Sequence, residues 1–165
     1  MIAHKLNVGN PHAVTFIDQS PEELGELKPS FNSEDFPEGV NVEFVQMIGP
    51  KNAKMRVFER GCGETKSCGT GAVAVAMACT LQSGGDLPAS WSIELPGGTL
   101  QVSIDKESEA TLTGPAVTVH SFPLDILITP RHFLSLPVLE SKLQRSAVFM
   151  KHVGFKLGKN EKFGA

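Results

Sequence analysis

The sequence predicts an α+β domain in which many short, mostly antiparallel strands surround one hydrophobic helix. Residues 69–81 are apolar or small except at Thr70 and Thr80, so this segment lacks the charged face of a surface helix and should be buried. Residues 90–95 and 100–104 alternate polar and apolar side chains on either side of a glycine-containing turn, which predicts a β-hairpin. With 165 residues and 41% hydrophobic content, the chain is long enough for one compact domain.

Further elements are predicted on both sides of the helix. Glycine and proline clusters break the chain into short segments, and their positions set the expected boundaries. The predicted strands are 12–17, 41–47, 53–59, 110–113 and 116–119. A short helix capped by Ser20 is predicted over 21–27, and a half-apolar stretch over 1–8. A polar loop is predicted over 32–39 and a turn over 49–52.

The overall composition excludes several classes of protein. A net charge of −3 and a pI near 5.9 give no general attraction to nucleic acid or to an anionic membrane. The sequence has neither an 18-residue apolar run nor a signal-peptide pattern at its start, which predicts a cytoplasmic protein. Its three cysteines cannot all pair, and their spacing does not fit a zinc site. We therefore expect free thiols and no metal.

The charge is unevenly distributed along the chain. Residues 1–120 carry 8 Lys/Arg against 15 Asp/Glu, a net of −7, whereas residues 121–165 carry 7 against 3, a net of +4. This change of sign predicts a boundary near residue 121, between one domain over 1–120 and a basic tail over 121–165. Within the tail, residues 136–150 could form an amphipathic helix, and no chemistry is predicted there.

The candidate nucleophile is Cys68, which stands at the start of the predicted buried helix. The unpaired N–H groups of a helix start carry the positive end of the helix dipole, and that position lowers the pKa of a thiol. Cys68 is therefore either a reactive thiol or a small residue that only packs. Cys79 is expected to be an inert core residue because it lies inside the helix, and Cys62 could be either.

The same helix start is a candidate anion site. The N–H groups of Gly69, Thr70 and Gly71 could hold a carboxylate or a phosphate. The chain lacks the phosphate-binding pattern Gly-x-x-x-x-Gly-Lys-Ser/Thr, so a small carboxylate is the better interpretation. The Thr70 hydroxyl could contribute a further hydrogen bond or serve only as a cap.

Polar side chains at the ends of predicted strands could complete a cleft. Glu59 shares the parity of the apolar residues in its strand and should point to their face, where a carboxylate needs a partner; alternatively, it reaches solvent. Arg60 could be that partner, or both could meet a ligand. Asn10, His12 and Asn41 lie at strand starts, where they are either cleft residues or ordinary turn residues.

Four motifs follow one another in the order in which they occur in a known enzyme family. They are Gly9-Asn10-Pro11-His12, Asn41-Val42-Glu43-Phe44-Val45, Glu59-Arg60-Gly61-Cys62-Gly63-Glu64-Thr65 and Ser67-Cys68-Gly69-Thr70-Gly71-Ala72. Together they resemble the carboxy-terminal half of diaminopimelate epimerase. The resemblance covers roughly residues 1–120 and continues through Leu95-Pro96-Gly97-Gly98 and Leu112-Thr113-Gly114-Pro115-Ala116-Val117.

The resemblance implies a cofactor-independent isomerase that interconverts LL- and meso-diaminopimelate for lysine and cell-wall synthesis. It implies a fold of two similar barrels, each around a central helix, with the substrate between them and one catalytic cysteine from each half. Cys68 would be one of these cysteines, and His12 and Glu59 would support catalysis. Further implied substrate contacts are Asn10, Asn41, Glu59 and Arg60, with Gly69 and Thr70 on the α-carboxylate.

The chain also departs from the family pattern. A Cys-Gly-Asn-Gly-like motif with the second cysteine is not found in these 165 residues, and neither Cys62 nor Cys79 replaces it. We therefore expect either an incomplete gene product or a half that needs a partner chain, which would be the amino-terminal half or a second copy of this chain. Two alternatives stay open, a non-catalytic carboxylate-binding or oligomerising module, and a related amino-acid racemase or isomerase.

Overall fold

The computed structural model describes residues 3–116 of the chain. That part contains eight strands and one α-helix, and two of the strands, over residues 4–7 and 63–65, were not predicted as strands. The strands are β1 (His4–Asn7), β2 (Pro11–Phe16), β3 (Asn41–Gly49), β4 (Asn52–Glu59), β5 (Gly63–Thr65), β6 (Ala89–Leu95), β7 (Gly98–Ile104) and β8 (Ala110–Thr113), and the helix is α1 (Gly69–Gln82).

The strands form one mixed sheet in the order β1-β2-β3-β4-β6-β7-β8, with β5 paired to β4. Neighbouring strands are antiparallel except in the β2–β3 and β4–β6 pairs, which are parallel. Strands from both ends of the sheet contact α1, so the sheet curls around the helix. The predicted α+β fold, with mostly antiparallel strands wrapped around one central helix, is confirmed.

The helix is the centre of the hydrophobic core. Every residue from Gly71 to Thr80 is buried, and Val14, Val45 and Ile93 of the surrounding strands are fully buried in the same cluster. Alanines and glycines on α1 let the strands approach closely, because such side chains add little bulk. A second, smaller cluster lies outside this core and contains Ala13, Val40 and Val42.

One buried polar contact joins the helix to the β6–β7 hairpin. The Trp91 indole Nε1 donates a hydrogen bond to Thr80 Oγ1 at 2.8 Å, and the Thr80 hydroxyl donates to the Ala76 carbonyl at 2.8 Å. Thr80 and Trp91 are 2% and 1% exposed. Each of these buried polar groups is thus satisfied by another protein group.

The hairpin also holds the loop that leads into α1. In the turn between β6 and β7, Gly97 N donates a hydrogen bond to the Lys66 carbonyl at 2.8 Å. A Cβ atom at residue 97 would lie 2.8 Å from that same oxygen, which is too close for a carbon atom. Only glycine allows the turn to approach the loop at this distance.

The prediction of a short helix over 21–27 is wrong in extent. Only Pro21–Glu23 form a single 3₁₀ turn, and the Ser20 side chain makes no capping hydrogen bond. The guanidinium group of Arg56 on β4 donates to the carbonyls of Pro21 and Leu24. Because these carbonyls accept hydrogen bonds from a side chain on β4, their hydrogen-bonding capacity is satisfied without further helical turns.

The other predicted strands and the polar loop are confirmed, with boundaries that differ by one or two residues. The predicted strand over 116–119 begins at Ala116, which is not in a strand, and its remaining residues lie outside the described part. The tail over 121–165 and its helix over 136–150 also lie outside it, so the domain boundary stays a prediction. No helix within residues 3–116 is long and apolar enough to cross a membrane.

Candidate active site

The predicted site residues come together at one end of the sheet. His12 on β2 is the register partner of Asn41 on the parallel strand β3. Strand β4 runs antiparallel to β3, with Phe58 opposite Val42, so β4 ends with Glu59 beside the start of β3. The chain then turns through β5 and enters α1 at this same end.

Cys68 is the N-cap residue of α1. Its backbone is extended, and its sulfur accepts a hydrogen bond from the Gly71 N–H group at 3.4 Å. The Thr70 hydroxyl lies 3.5 Å from the same sulfur. The Gly69 and Thr70 N–H groups have no carbonyl within the helix to bond, because they belong to its first turn. A buried thiol and a set of backbone donors therefore share one position.

The predicted lowering of the Cys68 pKa is wrong. Burial raises the pKa of the Cys68 thiol above its ordinary value, and this effect exceeds the lowering that hydrogen bonds from Thr70 and Gly71 produce. The negative charge of Glu59 raises the pKa further. The loss of hydration around the buried sulfur outweighs the stabilisation of the thiolate by the helix start, which favours the thiol form.

The other two cysteines differ from Cys68 in burial. Cys79 is completely buried, and that burial raises its pKa to about 12. This agrees with the expectation of an inert core residue. Cys62 is an exposed free thiol in the turn between β4 and β5.

Glu59 is half-buried, and the Thr65 hydroxyl on β5 donates a hydrogen bond to its carboxylate. The expected need for a partner is thus met by Thr65. The Arg60 side chain is exposed and points to Glu38, with its Nη1 3.1 Å from the Glu38 carbonyl. The Arg60 backbone N–H donates to Asn41 Oδ1 at 2.9 Å, so Asn41 fixes the end of β4.

A line of hydrogen bonds runs from β2 to the thiol. Asn10 Oδ1 lies 3.1 Å from His12 Nε2, and Asn10 Nδ2 donates to Thr70 Oγ1 at 3.4 Å. His12 is fully buried, and its Nδ1 lies 2.6 Å from Oε1 of Glu43. The structure therefore joins Asn10, His12, Thr70 and Cys68 into one network.

Glu43 is the residue that the sequence reasoning missed. It is fully buried on β3, and burial raises the pKa of its carboxyl group more than the hydrogen bond and charge of His12 lower it. Its parity was a usable signal, because Glu43 lies two residues before the core residue Val45 and so points to the same face of the sheet. Glu43, more than the half-buried Glu59, is thus a carboxylate on the apolar face of its strand.

Comparison with known proteins agrees with this arrangement of residues. The model of the family described as Diaminopimelate epimerase matches residues 5–119. The chain belongs to this family. It is 46% identical over 125 residues to the diaminopimelate epimerase of Streptomyces coelicolor, a match that covers 71% of this chain and 43% of that relative.

Other members of the diaminopimelate epimerase family match over the same share of their length. Those of Synechococcus elongatus and Methanococcus maripaludis are 42% and 43% identical, and each match covers 73% of this chain. The matches cover 43% and 44% of those two relatives. The chain therefore spans less than half the length of the curated relatives it matches.

Proposed function

We propose that this chain forms one wall of a two-thiol epimerase site that interconverts LL- and meso-diaminopimelate without a cofactor. The observation that supports this proposal best is the position of Cys68, a buried thiol at the start of α1 beside helix N–H groups. Those donors can stabilise the carbanionic charge that develops when an α-proton leaves. Family membership supports the same reaction.

In this mechanism each thiol serves one face of the α-carbon. In one direction the Cys68 thiolate takes the α-proton and becomes a thiol, while the second thiol gives its proton to the opposite face. In the other direction Cys68 gives the proton, and the raised pKa of Cys68 suits this acid role. Proton and charge balance in both directions, since one thiol and one thiolate exchange places.

The substrate contacts proposed for this wall follow the site geometry. The N–H groups of Gly69 and Thr70 would hold the α-carboxylate. Asn10 belongs to the thiol network, the charge of Glu59 acts on Cys68, and Asn41 supports the end of β4. Arg60 would have to leave Glu38 to reach a ligand, a modest cost for an exposed side chain.

The second thiol is proposed to come from a partner half. All three cysteines of the chain lie in the described part, where Cys79 is buried in the core and Cys62 is exposed in a turn. Neither replaces a thiol on the opposite face of the substrate. We propose that an amino-terminal half supplies it, with a second copy of this chain as the alternative partner. A cytoplasmic location stays a prediction.

The test combines the full chain with the amino-terminal half of the Streptomyces coelicolor relative and LL-diaminopimelate in deuterated water. Meso-diaminopimelate with deuterium at the α-carbon, measured by chiral chromatography and mass spectrometry, is the expected result. Cys68→Ala should abolish this product, because inversion needs a thiol on each face, whereas Cys62→Ser, a matched control at an exposed thiol, should leave it intact. No meso product when both halves are folded, or meso product that survives Cys68→Ala, contradicts the proposal.

A second candidate function is a carboxylate-binding module without chemistry. The observation that favours it is that the chain alone presents one thiol, Cys68, at the helix start. Calorimetric titration of diaminopimelate into the Cys68→Ala chain would separate binding from chemistry. Saturable binding without exchange in the mixture of halves favours the module. Faster exchange on proline than on diaminopimelate would instead favour a related racemase.

A further inference from the structure

Glu43 is the one described residue with a buried side-chain oxygen that lacks a hydrogen-bond partner among residues 3–116, its Oε2. Its other oxygen, Oε1, contacts His12 Nδ1 at 2.6 Å. Both side chains have no exposed surface. Burial of a carboxyl oxygen without a hydrogen-bond partner costs free energy of folding. Packing alone therefore does not explain why a glutamate occupies this position.

The pair must be electrically neutral as a whole, because burial of a net charge without a counterion is strongly unfavourable. Two neutral states exist. In one, a protonated Glu43 donates to Nδ1 of a neutral His12; in the other, a Glu43 carboxylate accepts from the Nδ1–H of an imidazolium. In both states His12 carries a proton on Nε2. Besides His12, the charged group that acts on Glu43 is Glu59, and its negative charge opposes ionisation of the Glu43 carboxyl group.

The proton on Nε2 fixes the direction of every hydrogen bond that follows. His12 Nε2–H donates to Asn10 Oδ1, which turns the amide so that Asn10 Nδ2 donates to Thr70 Oγ1. With its oxygen accepting from Asn10, the Thr70 hydroxyl can direct its own hydrogen to Cys68 Sγ. Without the Nε2 proton, the Asn10 amide would face the other way, and the Thr70 hydroxyl would donate to Asn10 instead of to sulfur.

We propose that Glu43 is a positioning residue of the thiol site, which keeps a proton on His12 Nε2 so that Asn10 and Thr70 direct hydrogen-bond donors toward Cys68. Glu43 acts through other residues and does not reach the substrate. The first turn of α1 permits this arrangement, because a Cβ atom at residue 71 would lie 3.0 Å from Glu43 Oε1 and 3.3 Å from Cys68 Sγ. The glycine there lets both groups pack against the same turn.

This role of Glu43 rests on the proposed function only where it affects turnover. The test therefore measures the reactivity of the Cys68 thiol directly. The full chain and its variants are treated with iodoacetamide, and mass spectrometry gives the alkylation rate at Cys68 near neutral pH relative to its alkaline plateau. This ratio reports the fraction of thiolate and corrects for access to the sulfur. Protection of Cys79 from alkylation shows that each variant is folded.

Two substitutions at residue 43 separate the tautomer from the charge. Glu43→Gln keeps an N–H that can donate to Nδ1, so His12 keeps its Nε2 proton and the ratio should stay within about twofold of the wild type. Glu43→Leu has no donor or acceptor, and the ratio should fall about fivefold, as expected for loss of one hydrogen bond of about 1 kcal/mol. Asn10→Ala breaks the network with Glu43 in place and should cause a similar fall.

Nitrogen NMR of the His12 ring supplies a second measurement, with its signals assigned by their loss in His12→Gln. Nε2 should be protonated in the wild type and in Glu43→Gln, and lose its fixed proton in Glu43→Leu. Unchanged Cys68 reactivity in folded Glu43→Leu and Asn10→Ala chains would overturn the proposal. An equal fall in Glu43→Gln would also overturn it, because charge and not the tautomer would then matter. Loss of deuterium exchange alone would count only against the proposed function.

Discussion

Replacement of Thr80 by valine should destabilise the chain through one buried hydrogen bond. Valine has nearly the shape of threonine and a similar helix propensity, so the change removes the hydroxyl and little else. The Trp91 indole N–H would then be buried without its acceptor, since its present partner is Thr80 Oγ1 at 2.8 Å. The Ala76 carbonyl would keep the hydrogen bond of the helix backbone.

The magnitude follows from the unpaired indole group. A buried donor without a partner costs about 1–3 kcal/mol, so we expect the free energy of unfolding to fall by about 2 kcal/mol. Trp91 is the one tryptophan of the chain, and its fluorescence in a urea titration reports on this cluster. With an m-value of about 1.5 kcal/mol per molar, the unfolding midpoint should fall by roughly 1 M.

A double-mutant cycle with Trp91→Phe separates this hydrogen bond from packing. Phenylalanine has no N–H, so Thr80→Val should cost at least about 1 kcal/mol less in the Trp91→Phe background, as measured by circular dichroism. Thr80→Ser keeps the hydroxyl and should lose only about 1 kcal/mol for one buried methyl group. If Thr80→Val unfolds at the wild-type midpoint, or if the two substitutions are additive, the reasoning is refuted.

Two other predictions concern the cysteines and one ion pair. In the native chain, iodoacetamide should modify exposed Cys62 first, Cys68 more slowly and Cys79 only after unfolding. Peptide mass spectrometry measures this order. Early modification of Cys79 would contradict its burial. The hydrogen bond from Arg56 lowers the Glu64 pKa, so this pair stabilises the fold above the ordinary carboxyl pKa and is lost as pH falls through the lowered value. Glu64→Gln should remove about 1 kcal/mol at neutral pH and abolish this acid dependence in urea titrations, whereas an unchanged pH profile would show that the pair contributes nothing.

Much of the fold was predictable because its signals are local. The apolar stretch from Gly69 to Leu81 indicated a buried helix, observed over Gly69–Gln82, and alternation indicated the β6–β7 hairpin. The segment after Ser20 was misjudged because local helix signals compete there with a long-range contact. The guanidinium group that takes its carbonyls belongs to Arg56, which lies more than thirty residues away in sequence, and no local pattern contains that information.

The sequence motifs predicted several residues that the structure brings together, but not the energetics of their arrangement. The motifs identified Asn10, His12 and Cys68, and the structure joins them. The direction of the Cys68 pKa shift depends on how deeply the sulfur is buried, which the position at a helix start does not reveal. Glu43 was not predicted because a carboxylate in a strand usually reaches solvent; its parity with Val45 indicates the apolar face, and the structure shows that the side chain is fully buried there.

The close approach of Gly97 to Lys66 lets the β6–β7 hairpin restrain the loop that carries Cys68, although no side chain of the hairpin takes part in the proposed reaction. The loop bearing Cys68 is held upstream by this backbone contact and downstream by the first turn of α1. The sulfur is therefore confined when the chain folds, not when a ligand arrives. Its conformational entropy is lost once, when the chain folds, so under the proposed function the thiol would already be in place before each reaction.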